Sequence, residues 1–244
     1  MNLDDRSVIK SAYIENRLVR YKVLRRKVRY ARIDLTNGEL VIVLPYRAKD
    51  EIKIINKHSR WIVRTLDQIN EAKAIAERYR ANSSIMLFGK EFKIEHSESF
   101  FVNHLLNTIY IDQYNKKHLT LFYRFIRKEL LKALNAICNI YSNELSVRYN
   151  KIYIRNQRTR WGSCSSKGSL SFNIRLAFIP KELLKYVVYH EVLHIKIKAH
   201  NREFFKCMRD RFSNIDELDK LLTTYWFLTN LDTFPYNILK RHHR

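Results

Sequence analysis

Glycine and proline are scarce, at 4 and 3 residues in a chain of 244. That scarcity excludes collagen-like repeats, Gly/Ser linkers and low-complexity disorder. With 46% apolar residues the chain can bury a real core. Cysteine is short as well. Cys138, Cys164 and Cys207 are odd in number and widely spaced, so they form neither a disulfide framework nor a C-x-x-C pair. A reducing, cytoplasmic setting is the expectation. No run approaches the roughly 18 uncharged apolar residues of a membrane-spanning helix. The opening MNLDDRSVIK puts acids ahead of any apolar run, unlike a signal peptide. Acidic residues are the other shortage: 24 against 46 Lys and Arg, a formal charge of +22 and a pI near 10. Such a surface attracts polyanions, which makes nucleic acid a candidate partner. A merely solvated basic face accounts for the same numbers.

Residues 1–15 read as a loosely held lead-in. From Arg17 to Leu44 the pattern is β-like, with Asn37-Gly38 as a hairpin turn and Pro45 as the end of a strand. Eight basic residues fall in this stretch: Arg17, Arg20, Lys22, Arg25, Arg26, Lys27, Arg29 and Arg32. They are either a solvated sheet edge or a nucleic-acid surface. From Asp50 to Arg78 the apolar period changes to that of a helix, broken near His58-Ser59, with Trp61 as an expected core anchor. A hairpin about Gly89-Lys90 and one or two short strands up to Asp112 follow. Leu119 to Asn143 is a long helix by pattern, and a strand at 151–156 leads into a hairpin about Lys167-Gly168. The expected fold class is α+β. A β-rich basic region with one helical insert spans 1–112, and a catalytic domain spans 113–244.

The chemistry concentrates in Pro180 to Lys198, PKELLKYVVYHEVLHIKIK, which reads as one buried helix with Pro180 in its first turn. His190 and His194, four apart, share a helix face, and Glu191 lies beside them. This is the H-E-x-x-H arrangement of zinc hydrolases. A zinc ion with an open fourth position lowers the pKa of a water toward neutrality, and a neighbouring carboxylate accepts its proton. Burying His-Glu-His without a metal would leave costly unpaired groups.

A catalytic zinc needs a third protein ligand. His200, six residues after His194, is the first candidate, and Glu203 is the alternative. The spacing H-E-x-x-H-x5-H matches metzincins, although Ile197 stands where that pattern has Gly. Glu191 would be the general base. Arg160, Arg175, Asn173 and a tyrosine such as Tyr189 are candidates for substrate or oxyanion contacts. Cys164, near Arg158 and Arg160, reads as a buried hairpin cysteine or, less simply, as a nucleophile. The strand before the metal helix could hold an extended peptide by β-addition. No paired-carboxylate, two-metal arrangement of a nuclease is visible.

The stretch from Arg158 to Phe205 resembles the YgjP-like metallopeptidase domain family, predicted zinc-dependent hydrolases related to SprT and Spartan-like proteases. The shared pattern is R-W-G-S-C-S at Arg160 to Ser165, then Asn173 and Leu176, Pro180, His190, Glu191, His194, His200 and Phe204. Val192 replaces a usual Leu, Ala199 a common Asn, and Asn201 a common Ser. Upstream, Trp61-Ile62 and Leu87 to Lys90 extend the likeness over most of residues 17–210. The resemblance implies a zincin-like core, with the H-E-x-x-H helix on a small antiparallel or mixed sheet, and one zinc per chain. The expected activity is zinc-dependent peptide-bond hydrolysis on a protein or peptide. Two alternatives stand beside it: a nucleic-acid-associated protein with a structural or inactive zinc site, and a metal-dependent hydrolase of a non-peptide amide or ester.

Overall fold

Side chains that alternate between the two faces of a strand shape the first part of the chain. Strands β1 (Ser7–Ile14), β2 (Arg17–Arg26), β3 (Arg32–Thr36) and β4 (Glu39–Pro45) form one sheet in the order β1-β2-β4-β3. β2 and β4 run parallel, and the other two pairs are antiparallel. The computed structural model describes residues 7–36, 39–48 and 51–241. Val19, Tyr21 and Val23 of β2 face the same way as Leu40, Ile42 and Leu44 of β4. They close a core with Ile55 of helix α1 (Glu51–Lys57) and Ile62 of helix α2 (Ser59–Ala81).

Two expectations need correction here. The supposed lead-in contains β1, which pairs with β2 along its whole length, from Ser7 opposite Leu24 to Ile14 opposite Arg17. Only Ile14 of this edge strand is buried, so no apolar alternation betrays it; backbone pairing holds it instead. Its turn, Glu15-Asn16, has both residues at positive φ, as a two-residue hairpin loop requires. Trp61 is not a core anchor. Ile62 takes the fully buried position, and one residue's rotation about the helix leaves Trp61 40% exposed. β3 and β4 pair as expected, Thr36 opposite Glu39. The turn residues Asn37 and Gly38 lie outside the described residues, as does Asp50. The helical break is at His58, between α1 and α2.

The chain splits into two compact units, Met1–Ile75 and Ala76–Arg244. The expected division at 112/113 falls within the second. That unit opens with β5 (Ser84–Leu87), β6 (Lys90–Glu95), β7 (Phe101–Asn103) and β8 (Thr108–Tyr110), a mixed sheet in the order β5-β6-β8-β7. Helix α3 (Lys116–Glu144) follows. Asn115 caps it, its side chain accepting from the N–H groups of Lys117 and His118. Phe122, Ile126, Leu130, Leu134 and Ile137 give α3 its buried stripe.

Next come β9 (Ile152–Arg155), β10 (Gly162–Cys164) and β11 (Leu170–Asn173), a mixed sheet in the order β10-β11-β9. β10 is its edge. A buried 3-10 turn, Ile174–Phe178, leads into α4 (Lys181–Lys196), which packs against α3 and β10. The remaining helices are α5 (Arg202–Arg211), α6 (Ile215–Leu228) and α7 (Ile238–Arg241). The turn of the β5–β6 hairpin, at Phe88-Gly89, seats the start of α4. The Phe88 N–H donates to the Ala177 carbonyl at 2.8 Å. A side chain on Gly89 would lie 2.7 Å from Cβ and N of Lys181, and its φ of +77° suits glycine as well. The fold is α+β with mixed sheets. Among the described residues no helix is long and apolar enough to cross a membrane.

Candidate metal centre and active site

Burial of α4 on two sides sets the direction of its third side. Leu183, Leu184, Val187, Val188, Val192 and Leu193 are buried. The row Tyr186, His190, His194, spaced by four residues, then lines a cavity of about 530 Å³. The helix stops at Ile197, whose N–H still donates to the Leu193 carbonyl at 2.9 Å. Its own carbonyl turns back to Nδ1 of His194, 3.0 Å away. A carbonyl can only accept, so Nδ1 carries the proton of that ring and Nε2 presents a lone pair. Past this turn the chain brings His200 beside the other two.

The three Nε2 atoms face one another: 3.2 Å from His190 to His194, and 3.0 Å from His200 to each. Three nitrogens bound to one tetrahedral ion at about 2.0–2.1 Å would stand about 3.3 Å apart. The donor set therefore fits a metal ion, and the three histidines that would hold it all line the cavity. Phe204 of α5 supports all three rings. It stacks on His194 at 4.6 Å between ring centroids and meets His190 and His200 edge-on at 4.9 and 4.8 Å. Asn201 places it there by capping α5, its side chain accepting from the Phe204 N–H at 2.9 Å. Burial and the two neighbouring imidazoles hold His190 neutral, with its pKa lowered to about 3. Burial also lowers His194. Neutral imidazole is the metal-binding form. Glu203, the alternative ligand, is exposed and outside this group.

Glu191 shares the cavity but is only 7% exposed. Burial raises its carboxyl to about 7, against a smaller opposing pull from Arg160. β10 explains where it sits. A Cβ placed on Gly162 would lie 2.7 Å from Cγ and 2.8 Å from Oε1 of Glu191, so the carboxylate occupies the space that glycine leaves. The glycine of R-W-G-S-C is thus a packing surface for the acid.

Arg160 lines the cavity. Arg175 and Asn173 do not; they are buried behind it, 2% and 0% exposed. Asn173 donates through Nδ2 to the carbonyls of Gln157 and Arg160, at 2.9 and 2.8 Å, and so fixes the loop that carries Arg160. Arg175 donates to Asn156 at 2.6 Å, the Gln157 carbonyl at 3.2 Å and Asn230 at 3.2 Å. Its guanidinium lies over the Trp226 ring. These two residues are therefore framework rather than oxyanion contacts. Tyr189 is likewise buried, against Tyr141 and Phe212. The cavity tyrosine is Tyr186, whose hydroxyl donates to Asp219 of α6 at 2.8 Å. Its place four residues before His190 was the available signal, whereas Asp219 reaches the site only by tertiary packing. Cys164 lines the cavity half-buried; burial raises its thiol, which argues against a nucleophile.

The basic residues of 17–32 differ in their partners. Arg17 pairs with Asp67 at 2.6 Å and Arg32 with Asp34 at 3.1 Å. Arg25 donates to the Ala48 carbonyl at 2.5 Å, and Arg29 lies over the Tyr30 ring. Arg20 and Lys22 have no such partner among the described residues.

No curated protein matches the sequence. The family model described as the YgjP-like metallopeptidase domain matches residues 29–225, most of the chain and all of the histidine centre, and the protein belongs to that family.

Proposed function

We propose that the chain is a zinc-dependent metallopeptidase, with His190, His194 and His200 as ligands and Glu191 as general base. The observation that carries this reading is the convergence of three lone-pair-bearing Nε2 atoms in a cavity that also holds a buried carboxyl. A zinc ion held there would supply Lewis acidity and make a water acidic enough to react near neutrality. The chain's own groups do the rest. Glu191, its proton affinity raised by burial, takes a proton from the attacking water and hands it to the departing amine. Arg160 is the donor on the cavity wall for negative charge on the carbonyl oxygen. The one proton of the Tyr186 hydroxyl goes to Asp219, so that tyrosine shapes the wall. β11, the strand before the metal helix, is paired on both sides, so the edge strand β10 is the one that would offer backbone N–H and C=O groups to an extended peptide.

The test combines metal analysis with turnover on a peptide library read by mass spectrometry. Wild type should hold about one zinc per chain and cleave internal peptide bonds. Glu191→Gln should keep the zinc and lose roughly a hundredfold or more in rate. His200→Ala should lose zinc affinity. A folded wild type that takes up no zinc would overturn the metal site. Zinc uptake with no peptide cleavage, but Glu191-dependent turnover of a simple ester or amide, would move the activity to a non-peptide hydrolase.

A further inference from the structure

In the sheet of the first unit, Val43 is buried on the outer side of β4, but the outer side of β1 and β2 is largely open. Val19, Tyr21 and Val23 point into the core beneath α1 and α2. The alternate residues of β2, namely Leu18, Arg20 and Lys22, project from the other side. Register places Tyr13 of β1 directly opposite Leu18, and Ile9 opposite Lys22. Residues opposite one another in a ladder share a face. On that face Tyr13 is 76% exposed, Leu18 61% and Ile9 57%. Two cations without acidic partners among the described residues thus alternate with exposed apolar and aromatic groups on one flat surface. Two acids share the sheet face: Glu39, exposed at the start of β4 beside Arg20, and Asp34 of β3, whose charge Arg32 meets.

We propose that this face of β1 and β2 binds single-stranded nucleic acid. Its positive charge complements a phosphate backbone, and it belongs to a protein whose formal charge is +22. The exposed Tyr13 ring offers a platform for an unstacked base, the arrangement by which an open sheet reads single strands. A duplex keeps its bases stacked on one another and has no ring to give Tyr13. An acidic protein would answer Arg20 and Lys22 but leave the apolar half of the face unused.

The full-length protein is titrated against fluorescein-labelled 20-mers, oligo-U and oligo-dT, by anisotropy over a range of salt. The comparison ligands are a 20-base-pair duplex and phosphatidylserine vesicles. Arg20→Gln with Lys22→Gln should weaken single-strand binding roughly tenfold or more at low salt. It should also reduce the slope of log affinity against log salt by about 1.4, two cations at about 0.7 each. Lys117→Gln with Lys128→Gln, exposed positions of α3 that remove the same charge, should change affinity less than about twofold. Tyr13→Ala should cost roughly fivefold or more while leaving the salt slope unchanged. Tyr13 and Arg20 are exposed and Lys22 is half-buried on the outer face, so melting curves should stay close to wild type, and zinc content should not move. Equal losses from the face pair and the control pair would reduce the effect to net charge and overturn the proposal. So would tighter binding to duplex or vesicles with Tyr13→Ala silent, or no binding to any oligonucleotide at low salt.

Discussion

In the first unit the charged side chains of Arg20 and Lys22 in β2 lie on the outer face of a sheet. In the second, Asn173, Arg175 and Glu191 are sunk into the interior, each 7% exposed or less. The same shortage of glycine and the same excess of cations therefore produce two different kinds of constraint. An exposed arginine keeps its solvation whatever its neighbours are. A buried amide or guanidinium has to find a partner for nearly every polar atom, or it costs stability. Arg175 finds its partners in Asn156, Gln157 and Asn230, and no carboxylate among the described residues pairs with it. Position by position, the interior of the second unit dictates residue type, while the outer face of the first dictates only charge and shape.

The sharpest way to break this contrast is at Asn173. Its side chain donates to two carbonyls, and its Oδ1 accepts from the Arg175 N–H at 3.2 Å. Asn173→Ala leaves the Arg175 N–H and the Arg160 carbonyl without that partner, while the Gln157 carbonyl keeps Arg175; the cost is roughly 1–3 kcal/mol for each that cannot find water. We expect a loss of about 3 kcal/mol in denaturant unfolding of the full chain, with Arg160 no longer held at the cavity. Arg20→Gln should change stability by less than about 0.5 kcal/mol. Equal losses at the two positions would remove the distinction between the units.

A second, smaller effect separates position from stability within the site. Gly162→Ala sets a methyl group against Cγ and Oε1 of Glu191. A flexible side chain can swing away, so the protein should fold and keep its three-histidine metal affinity. The displaced carboxylate should cost turnover about a hundredfold, the scale of an ångström's misplacement. Unchanged turnover would mean that the carboxylate does not need the place against β10.

These positions differ in how far the sequence exposed them. His190, Glu191 and His194 could be read because helical spacing and metal chemistry constrain the same three residues. His200 could be read because six residues are enough for a helix end and one turn. Phe204 was visible only as an aromatic in a pattern; its contact with all three rings depends on where α5 starts. Arg175 and Asn173 misled because an arginine near a catalytic motif looks like an anion contact, and nothing local reveals burial behind the wall. Tyr186 and Asp219 sit on separate helices that only tertiary packing brings together. In the first unit, β1 hid because an edge strand with one buried residue has no alternation to detect. Trp61 misled by a single step of helix phase, since the larger of two adjacent apolar residues is not always the one that turns inward.

The smallest expected effect lies between the two regimes. Lys10 of β1 hydrogen-bonds to Glu51 of α1; the lysine side chain is 44% exposed and the glutamate's 9%. This hydrogen bond, followed by a backbone one, holds the Glu51 carboxyl below its ordinary value of 4.5. A folded-state pKa below the unfolded one means the pair stabilises the fold above the unfolded value. That contribution is lost as pH falls through the folded value. Lys10→Met should therefore lower the melting temperature slightly at neutral pH, and wild type and variant should converge in acid. Solvent around the lysine keeps the effect small. A difference that grows in acid would reverse the sign and show that Glu51 is stabilised by something other than Lys10. A large difference at neutral pH would place this pair with the buried groups of the second unit, although half of it is open to water.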